Sequence, residues 1–297
     1  MYLSVIVGVP LRVGKDSLIS MARKVRDLGQ YVNAVEPIVN EVRSRGDEAV
    51  IKYTETLDGV KLAGIEVGAE ELRELASRVN NEIAQAIDTA YKSVEDFNRK
   101  LMPRDFEEEC CGLIRGVRWV PINRVGIYVP RNYFSTLIMT GVIARVAGVG
   151  ELIVTTPPSK DGSISPEVAY VALRLNARVF RVGGPQAIAA MAFGTESIPR
   201  VDKIVGPGNA YVQAAKYLVS RYVGIDGIEG PTELVACADP SIDPELVALD
   251  VMAQLEHNSA IAIIITWDER YLGAIESMLT NSNYLSTSLM VLGIALT

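Results

Sequence analysis

Four short turns rich in glycine and proline carry polar side chains that could bind a ligand. They are Tyr128-Val129-Pro130, Gly183-Gly184-Pro185-Gln186, Gly206-Pro207-Gly208-Asn209 and Gly230-Pro231-Thr232-Glu233. The first three follow predicted strands, and ligands of parallel α/β sheets bind at the carboxyl ends of strands. Glycine lets backbone N–H groups approach an anion, and a helix that begins there favours negative charge. The turns predict a site for an anionic ligand, although ordinary strand-to-helix connections use the same residues.

A second group of polar side chains shares one face of a predicted helix. Asp250, Gln254 and His257 are spaced at i, i+4 and i+7, and Gln254 and His257 can converge on one metal ion. His257 is the only histidine among the 297 residues, so one chain cannot supply a site of two or three histidines. The alternative is a surface helix end, where a histidine complements the helix dipole.

Composition narrows the class of protein further. Hydrophobic residues make up 49% and charged residues 22%, which is typical of a globular chain. A net charge of −7 without a basic stripe argues against nucleic acid and anionic membranes as partners, and no apolar run is long enough to span a bilayer. Cys110, Cys111 and Cys237 form no disulfide framework, so they are interpreted as structural and the protein as cytoplasmic.

The first third of the chain is predicted to be helical. Pro37 is predicted to begin a helix that ends at Asp58-Gly59, and residues 69–71 are predicted to form the acidic first turn of the next. A long helix is predicted to end near Lys100, and the acidic run 107–109 to form a solvated turn. The apolar stripe of the long helix comprises Ile83, Ile87, Tyr91, Val94 and Phe97.

From Arg124 onward, short apolar runs alternate with helical stretches, which predicts βαβ units and a mainly parallel sheet. The predicted strands are 125–129, 152–155, 179–182, 203–205, 234–238 and 260–266; the predicted helices are 135–147, 165–176, 186–193, 209–221, 244–256 and 268–279. The run 289–296 would need neighbouring strands on both sides. Because this run closes the sequence, we expect a truncated chain or one that another polypeptide completes.

Four phrases together resemble the histidinol dehydrogenase family. They are GGPQAIAAMAFGTES at 183–197, VDKIVGPGN at 201–209, GPTE at 230–233 and QLEH at 254–257. The resemblance implies an α/β fold of two incomplete Rossmann-like domains with mainly parallel sheets, the second inserted in the first, and a helical N-terminal region. It implies a first domain of residues 1–124 and 233–297 and an inserted NAD-binding domain of residues 125–232.

The resemblance also implies an activity and a set of site residues. The family oxidises L-histidinol to L-histidine through histidinal, reduces two NAD, and uses zinc to orient the substrate. Tyr128, Gln186 and Asn209 correspond to NAD contacts, and Thr232 stands where the family usually has a substrate-binding serine. Gln254 and His257 correspond to zinc ligands that also touch the substrate. A homodimer is implied as well.

Two departures from the family pattern leave alternatives open. The catalytic Glu-His pair and the remaining zinc ligands of the family have no counterpart here, so no catalytic residue is assigned and little activity is expected of this chain alone. The loop at Arg131-Asn132-Tyr133 is shorter than in the family, which leaves open whether NAD still enters. A non-catalytic relic or nucleotide-binding subunit is one alternative, and a dehydrogenase of another amino alcohol is a second.

Overall fold

The chain divides into two compact units. In this computed structural model, residues 11–12, 28–228, 233–255, 261–280 and 289–292 are described. One unit is Leu28–Ile228, and the other combines Met1–Asp27 with Glu229–Thr297. The first of these units is therefore inserted in the sequence of the second, as the resemblance implied. The inserted unit begins at Leu28, whereas the predicted inserted domain begins at residue 125.

Helices open the inserted unit. They are α1 (Gly29–Arg45), α2 (Asp47–Tyr53), which continues as a π-helical segment (Thr54–Asp58), α3 (Ala69–Ser77) and α4 (Asn81–Leu101). The predicted start at Pro37 is wrong, because Pro37 lies inside α1. Proline removes one backbone donor, but Val35, Val39 and Val42 form a buried stripe along α1, and their packing outweighs that loss. The predicted acidic first turn of α3 and the predicted end of α4 are confirmed.

An exposed β-hairpin follows α4. Strand β2 (Phe106–Cys110) pairs in antiparallel fashion with β3 (Leu113–Val117). The predicted solvated turn at 107–109 is wrong as a turn, since these residues lie in β2, but all of β2 is exposed. The turn is Cys111-Gly112, where both residues have positive φ, 57° and 73°. This is the backbone that a two-residue hairpin loop requires.

A five-stranded parallel sheet forms the centre of the inserted unit. Its strands are β4 (Arg124–Tyr128), β5 (Glu151–Thr155), β6 (Arg178–Phe180), β7 (Lys203–Val205) and β8 (Gly224–Ile225). They lie side by side in the order β6-β5-β4-β7-β8. The four strands predicted in this region are confirmed with small shifts at their ends. They could be recognised because strands covered on both faces read as apolar runs without alternation.

Helices cover both faces of this sheet. They are α5 (Phe134–Leu137), a π-helical segment (Ile138–Val142), α6 (Ile143–Val146), α7 (Pro166–Arg174), α8 (Gly184–Phe193) and α9 (Ala210–Val219). One core joins α8 and α9 to α1 and α2, and the other joins α5, α6 and α7 to α3 and α4. The N-terminal helices thus belong to both cores of this sheet, which is why the compact unit begins at Leu28.

The second unit contains a four-stranded parallel sheet. Its strands are β1 (Leu11–Arg12), β9 (Glu233–Cys237), β10 (Ile261–Ile265) and β11 (Leu289–Leu292), with helices α10 (Pro244–Leu255) and α11 (Glu269–Thr280). The strands lie in the order β1-β11-β10-β9. Strand β11 has a neighbour on each side, as its apolar sequence predicts. None of the helices in the described part of the chain has the length and hydropathy of a membrane span.

Candidate functional site at the carboxyl edge of the parallel sheet

Two backbones approach each other closely where the strand order reverses. Successive strands are added on one side of β4 as far as β6, and then on its other side from β7, and such a switch point is where ligands of these sheets bind. Tyr128 ends β4 and Gly206 follows β7. Gly206 has φ +116°, and a Cβ added to it would lie 2.1 Å from the carbonyl oxygen of Tyr128. Only glycine fits this approach.

Tyr128 connects β4 to the turn that precedes α8. Its side chain is 5% exposed, and its hydroxyl accepts a hydrogen bond from the backbone N of Gly184 at 3.3 Å. Burial raises the pKa of Tyr128 to about 12, and the nearby charge of Asp58 acts in the same direction. The phenol is therefore neutral at pH 7 and retains a proton that it can donate.

Gln186 is fully buried in the first turn of α8. Neither Oε1 nor Nε2 of its amide has a hydrogen-bond partner among the described residues. A buried polar group without a hydrogen bond lowers stability by about 1–3 kcal/mol. The amide of Gln186 can therefore gain hydrogen bonds from the polar groups of a ligand. Gly184 is adjacent, with φ +60°, and a Cβ added there would lie 2.7 Å from Oε1 of Gln186.

Asn209 has a structural role of its own. Its Oδ1 accepts hydrogen bonds from the backbone N of Tyr211 and of Val212, both at 3.1 Å, so it caps the start of α9. The residue is exposed. The three residues predicted to contact NAD thus lie at the same edge of one sheet. Tyr128 links them, because it contacts the turn of Gln186 and abuts the turn that leads to Asn209.

A charged pair beside Tyr128 was not predicted from the sequence. Asp58 ends the π-helical segment, and Arg131 approaches its Oδ1 at 3.8 Å from the loop after β4. Oδ2 of Asp58 is buried without a partner in the described part of the chain. Burial raises the pKa of Asp58, and Arg131 opposes that rise. The sequence offered only an Asp-Gly pair that marks a helix end.

A second unpredicted pair, Lys216 and Asp226, binds the turn at Gly206. Lys216 is buried, and its Nζ lies 2.6 Å from Oδ1 of Asp226. The one feature of the sequence that could have indicated this pair is a lysine within the otherwise mostly apolar sequence of α9. It was missed because the sequence shows neither the fold of the turn nor the return of the chain at Asp226.

The residues predicted to bind zinc and substrate belong to the other unit. Gln254 lies on α10 and is partly exposed. Thr232 and His257 lie outside the described residues. Across residues 28–228, 233–255 and 261–280, no three His, Cys, Asp or Glu side chains gather closely enough to hold a metal ion. The described residues alone therefore do not fit a zinc site.

The opposite edge of the five-stranded sheet carries an open depression of about 720 Å³. Arg124, Asp202 and Gly224 line it, and these residues lie at the amino ends of β4, β7 and β8. The depression is therefore separate from the edge that carries Tyr128 and Gln186.

Proteins named histidinol dehydrogenase are similar to this chain in sequence. A family model described as histidinol dehydrogenase matches residues 21–289. The histidinol dehydrogenase of Saccharolobus solfataricus is 46% identical over 260 residues, which cover 86% of this chain and 65% of that relative. The one from Deinococcus radiodurans is 45% identical over 249 residues, covering 82% of this chain and 57% of that relative.

A solved structure gives the same result. The crystal structure of a histidinol dehydrogenase from Elizabethkingia anophelis matches with a TM-score of 0.80 at 29% identity, covering 99% of this chain and 72% of that one. The present chain spans less than two thirds of the length of the two curated relatives above.

Proposed function

Because this chain belongs to the histidinol dehydrogenase family, we propose that its parallel five-stranded sheet binds the NAD of an enzyme that oxidises L-histidinol to L-histidine. The proposal rests on the buried amide of Gln186, which has no hydrogen-bond partner among the described residues and follows the turn whose Gly184 N donates to the Tyr128 hydroxyl. This amide lies at the edge of the sheet where dinucleotides bind in related folds. Residues 125–232 are proposed as the cofactor-binding segment, and the helices from Leu28 onward that pack on its sheet belong to the same compact unit.

The chemistry of the residues at this edge suits NAD. Bound NAD would accept hydride from the substrate. The Gln186 amide offers one acceptor and two donors, and the neutral Tyr128 hydroxyl offers one donor. The glycines at 184 and 206 let Gln186 and the backbone of Tyr128 approach these two turns, where a side chain would clash with them. Asn209 is proposed as the third contact, through the part of its amide that does not cap α9.

The substrate and metal assignments are a separate part of the proposal. Thr232, Gln254 and His257 are proposed to contact L-histidinol, and Gln254 and His257 to bind zinc. The support is the match of the GPTE and QLEH phrases to the family. Two protein ligands are fewer than a zinc site needs. Further ligands are proposed to come from the substrate, from other residues of the protein, or from the partner subunit of a proposed cytoplasmic homodimer.

We propose that the 297-residue chain alone oxidises histidinol slowly or not at all. Its sequence contains a single histidine, whereas the family pattern requires a Glu-His pair for proton transfer in addition to the histidine that corresponds to His257. Loss of a general base alone lowers a rate by roughly 10²–10⁴. Reduction of NAD by the purified chain at ordinary enzymatic rates, followed by absorbance, would contradict this part.

Calorimetric titration of the chain with NAD tests the proposed site, and Gln186→Leu is the informative variant. Leucine removes, at similar volume, both polar atoms that have no partner among the described residues, so the free energy of unfolding should stay the same or rise by about 1–2 kcal/mol. NAD affinity should fall by about tenfold or more, because the amide can no longer pair with the cofactor.

Gln85→Leu, at an exposed position of α4, is the matched control and should leave NAD affinity unchanged. The proposal fails if Gln186→Leu binds NAD as tightly as the wild-type chain.

A further inference from the structure

One ion pair holds the turn after β7 by its backbone. Lys216 of α9 is 1% exposed, and its Nζ donates to the carbonyl oxygen of Gly206 at 2.5 Å and to Oδ1 of Asp226 at 2.6 Å. Oδ2 of Asp226 in turn accepts a hydrogen bond from the backbone N of Gly206 at 2.8 Å. Both backbone polar groups of Gly206 are therefore bound by the same pair.

The pair is itself anchored to the sheet and to the rest of the turn. The backbone N of Asp226 donates to the carbonyl oxygen of Ile204 in β7 at 3.1 Å, and Oδ1 of Asp226 also accepts from the backbone N of Gly227 at 2.9 Å. Further along the turn, Nε2 of Gln213 donates to the carbonyl oxygen of Gly208 at 3.3 Å. Residues 206–209 are thus fixed at both ends by side chains from behind the turn.

Stability alone does not explain a charged pair at this place. Removing an ammonium group from water is costly, and apolar residues of similar volume often stabilise a fold equally well or better. What apolar residues cannot do is bind the N–H and the C=O of one residue at the same time. Gly206 has to stay at φ +116° against the carbonyl oxygen of Tyr128, and the pair prevents this backbone from rotating away.

We infer that Lys216 and Asp226 are positioning residues for the cofactor, which act through the Gly206 turn and do not touch NAD themselves. The inference rests on the proposed function, because it gives the turn from Gly206 to Asn209 a ligand. With the pair in place, Asn209 and the backbone of the turn have the conformation that binds NAD before the cofactor arrives. Without it, part of the binding free energy is lost to ordering the turn.

Lys216→Met tests the inference, since methionine keeps most of the volume and removes both hydrogen bonds. NAD affinity, measured by calorimetry well below the melting temperature of each variant, should fall by about 10- to 100-fold. Hydrogen exchange of the Gly206 amide, followed by NMR, should accelerate in the same variant, because Asp226 no longer has its partner. A purely structural role would lower the melting temperature and leave the affinity unchanged.

Lys92→Met, at an exposed position of α4, is the matched control and should change neither quantity. Asp226→Asn is the second variant if Lys216→Met does not fold, and it should weaken NAD binding by about tenfold, because it keeps only one acceptor oxygen. If the wild-type chain does not bind NAD, the proposed function fails and this inference with it. If the wild-type chain binds NAD and the folded variants bind equally tightly, this inference alone is overturned.

Discussion

The polar side chains at the two edges of the five-stranded sheet differ in burial and in pairing. At the amino edge, Arg124, Glu151 and Arg178 form ion pairs that remain about one-third to two-fifths exposed. At the carboxyl edge, Gln186 and Lys216 are buried, and the amide of Gln186 has no partner in the part of the chain that the structure describes. Exposed ion pairs contribute little to stability, whereas an unpaired buried amide reduces it. The carboxyl edge, where the buried amide lowers stability, is therefore the candidate functional edge.

The largest expected effect contrasts one glycine from each edge. Gly206→Ala should lower the free energy of unfolding by about 3 kcal/mol or more and abolish measurable NAD binding, because it adds both backbone strain and a clash with Tyr128. Gly224→Ala, at the amino edge, places its Cβ 3.2 Å from the carbonyl oxygen of Asp202, without a positive φ. It should cost about 1 kcal/mol or less and spare NAD binding. Urea unfolding measures the change in stability, and calorimetric titration measures the change in NAD affinity. Equal effects of the two substitutions would show that the two edges do not differ.

An intermediate effect concerns Tyr128 at alkaline pH. Burial raises the pKa of Tyr128 from its ordinary value of 10.0 to about 12, so its contribution to stability is fully present below pH 10 and is lost as pH rises through about 12. The wild-type chain should therefore lose about 2–3 kcal/mol across this window from Tyr128 alone. Tyr128→Phe removes this loss, so its stability should approach that of the wild type as the pH rises.

Urea unfolding at a series of pH values between 9 and about 11.5 measures the effect, and exposed Tyr217→Phe serves as the control. A constant difference between Tyr128→Phe and the wild type over this range would show that the hydroxyl titrates as it does in water.

The smallest effect is expected at the amino edge. Glu151→Gln removes two ion pairs of Glu151, one with Arg124 at 2.5 Å and one with Arg178 at 3.5 Å. Because these side chains are about one-third to two-fifths exposed, the unfolding free energy should fall by about 1 kcal/mol or less, and NAD affinity should not change. A loss of NAD affinity measured by calorimetry would mean that the two edges are coupled.

The sequence predicts the sheet well, because its strands are apolar runs bounded by glycine and proline. It predicts the start of α1 poorly, since a proline is a frequent first residue of a helix and Pro37 is not one. It also misses the hairpin, because its turn places a cysteine at positive φ where asparagine or aspartate is usual. These are cases in which packing or backbone geometry outweighs the local signal.

For the site, the sequence indicates Tyr128, Gln186 and Asn209 through the turns that carry them, and the structure places all three at one edge of the sheet. The burial of Gln186, without a partner in the segments that the structure describes, cannot be read from the sequence, since nothing in the GGPQ phrase indicates how deeply the side chain lies. The pairing of Lys216 with Asp226 is similarly hidden, because it depends on a turn and a strand between them. Thr232, Gln254 and His257 stay predictions.

The pairing of β1 with β11 has a consequence for synthesis of the protein on the ribosome. Leu11 and Val291 are partners in the sheet of the second unit, so β1 leaves the exit tunnel long before the strand it pairs with. The inserted unit, by contrast, is complete by Ile228 and can fold while translation continues. Strand β1 is thus made well before β11, and the edge that it offers to β11 has no partner strand until translation reaches residue 291.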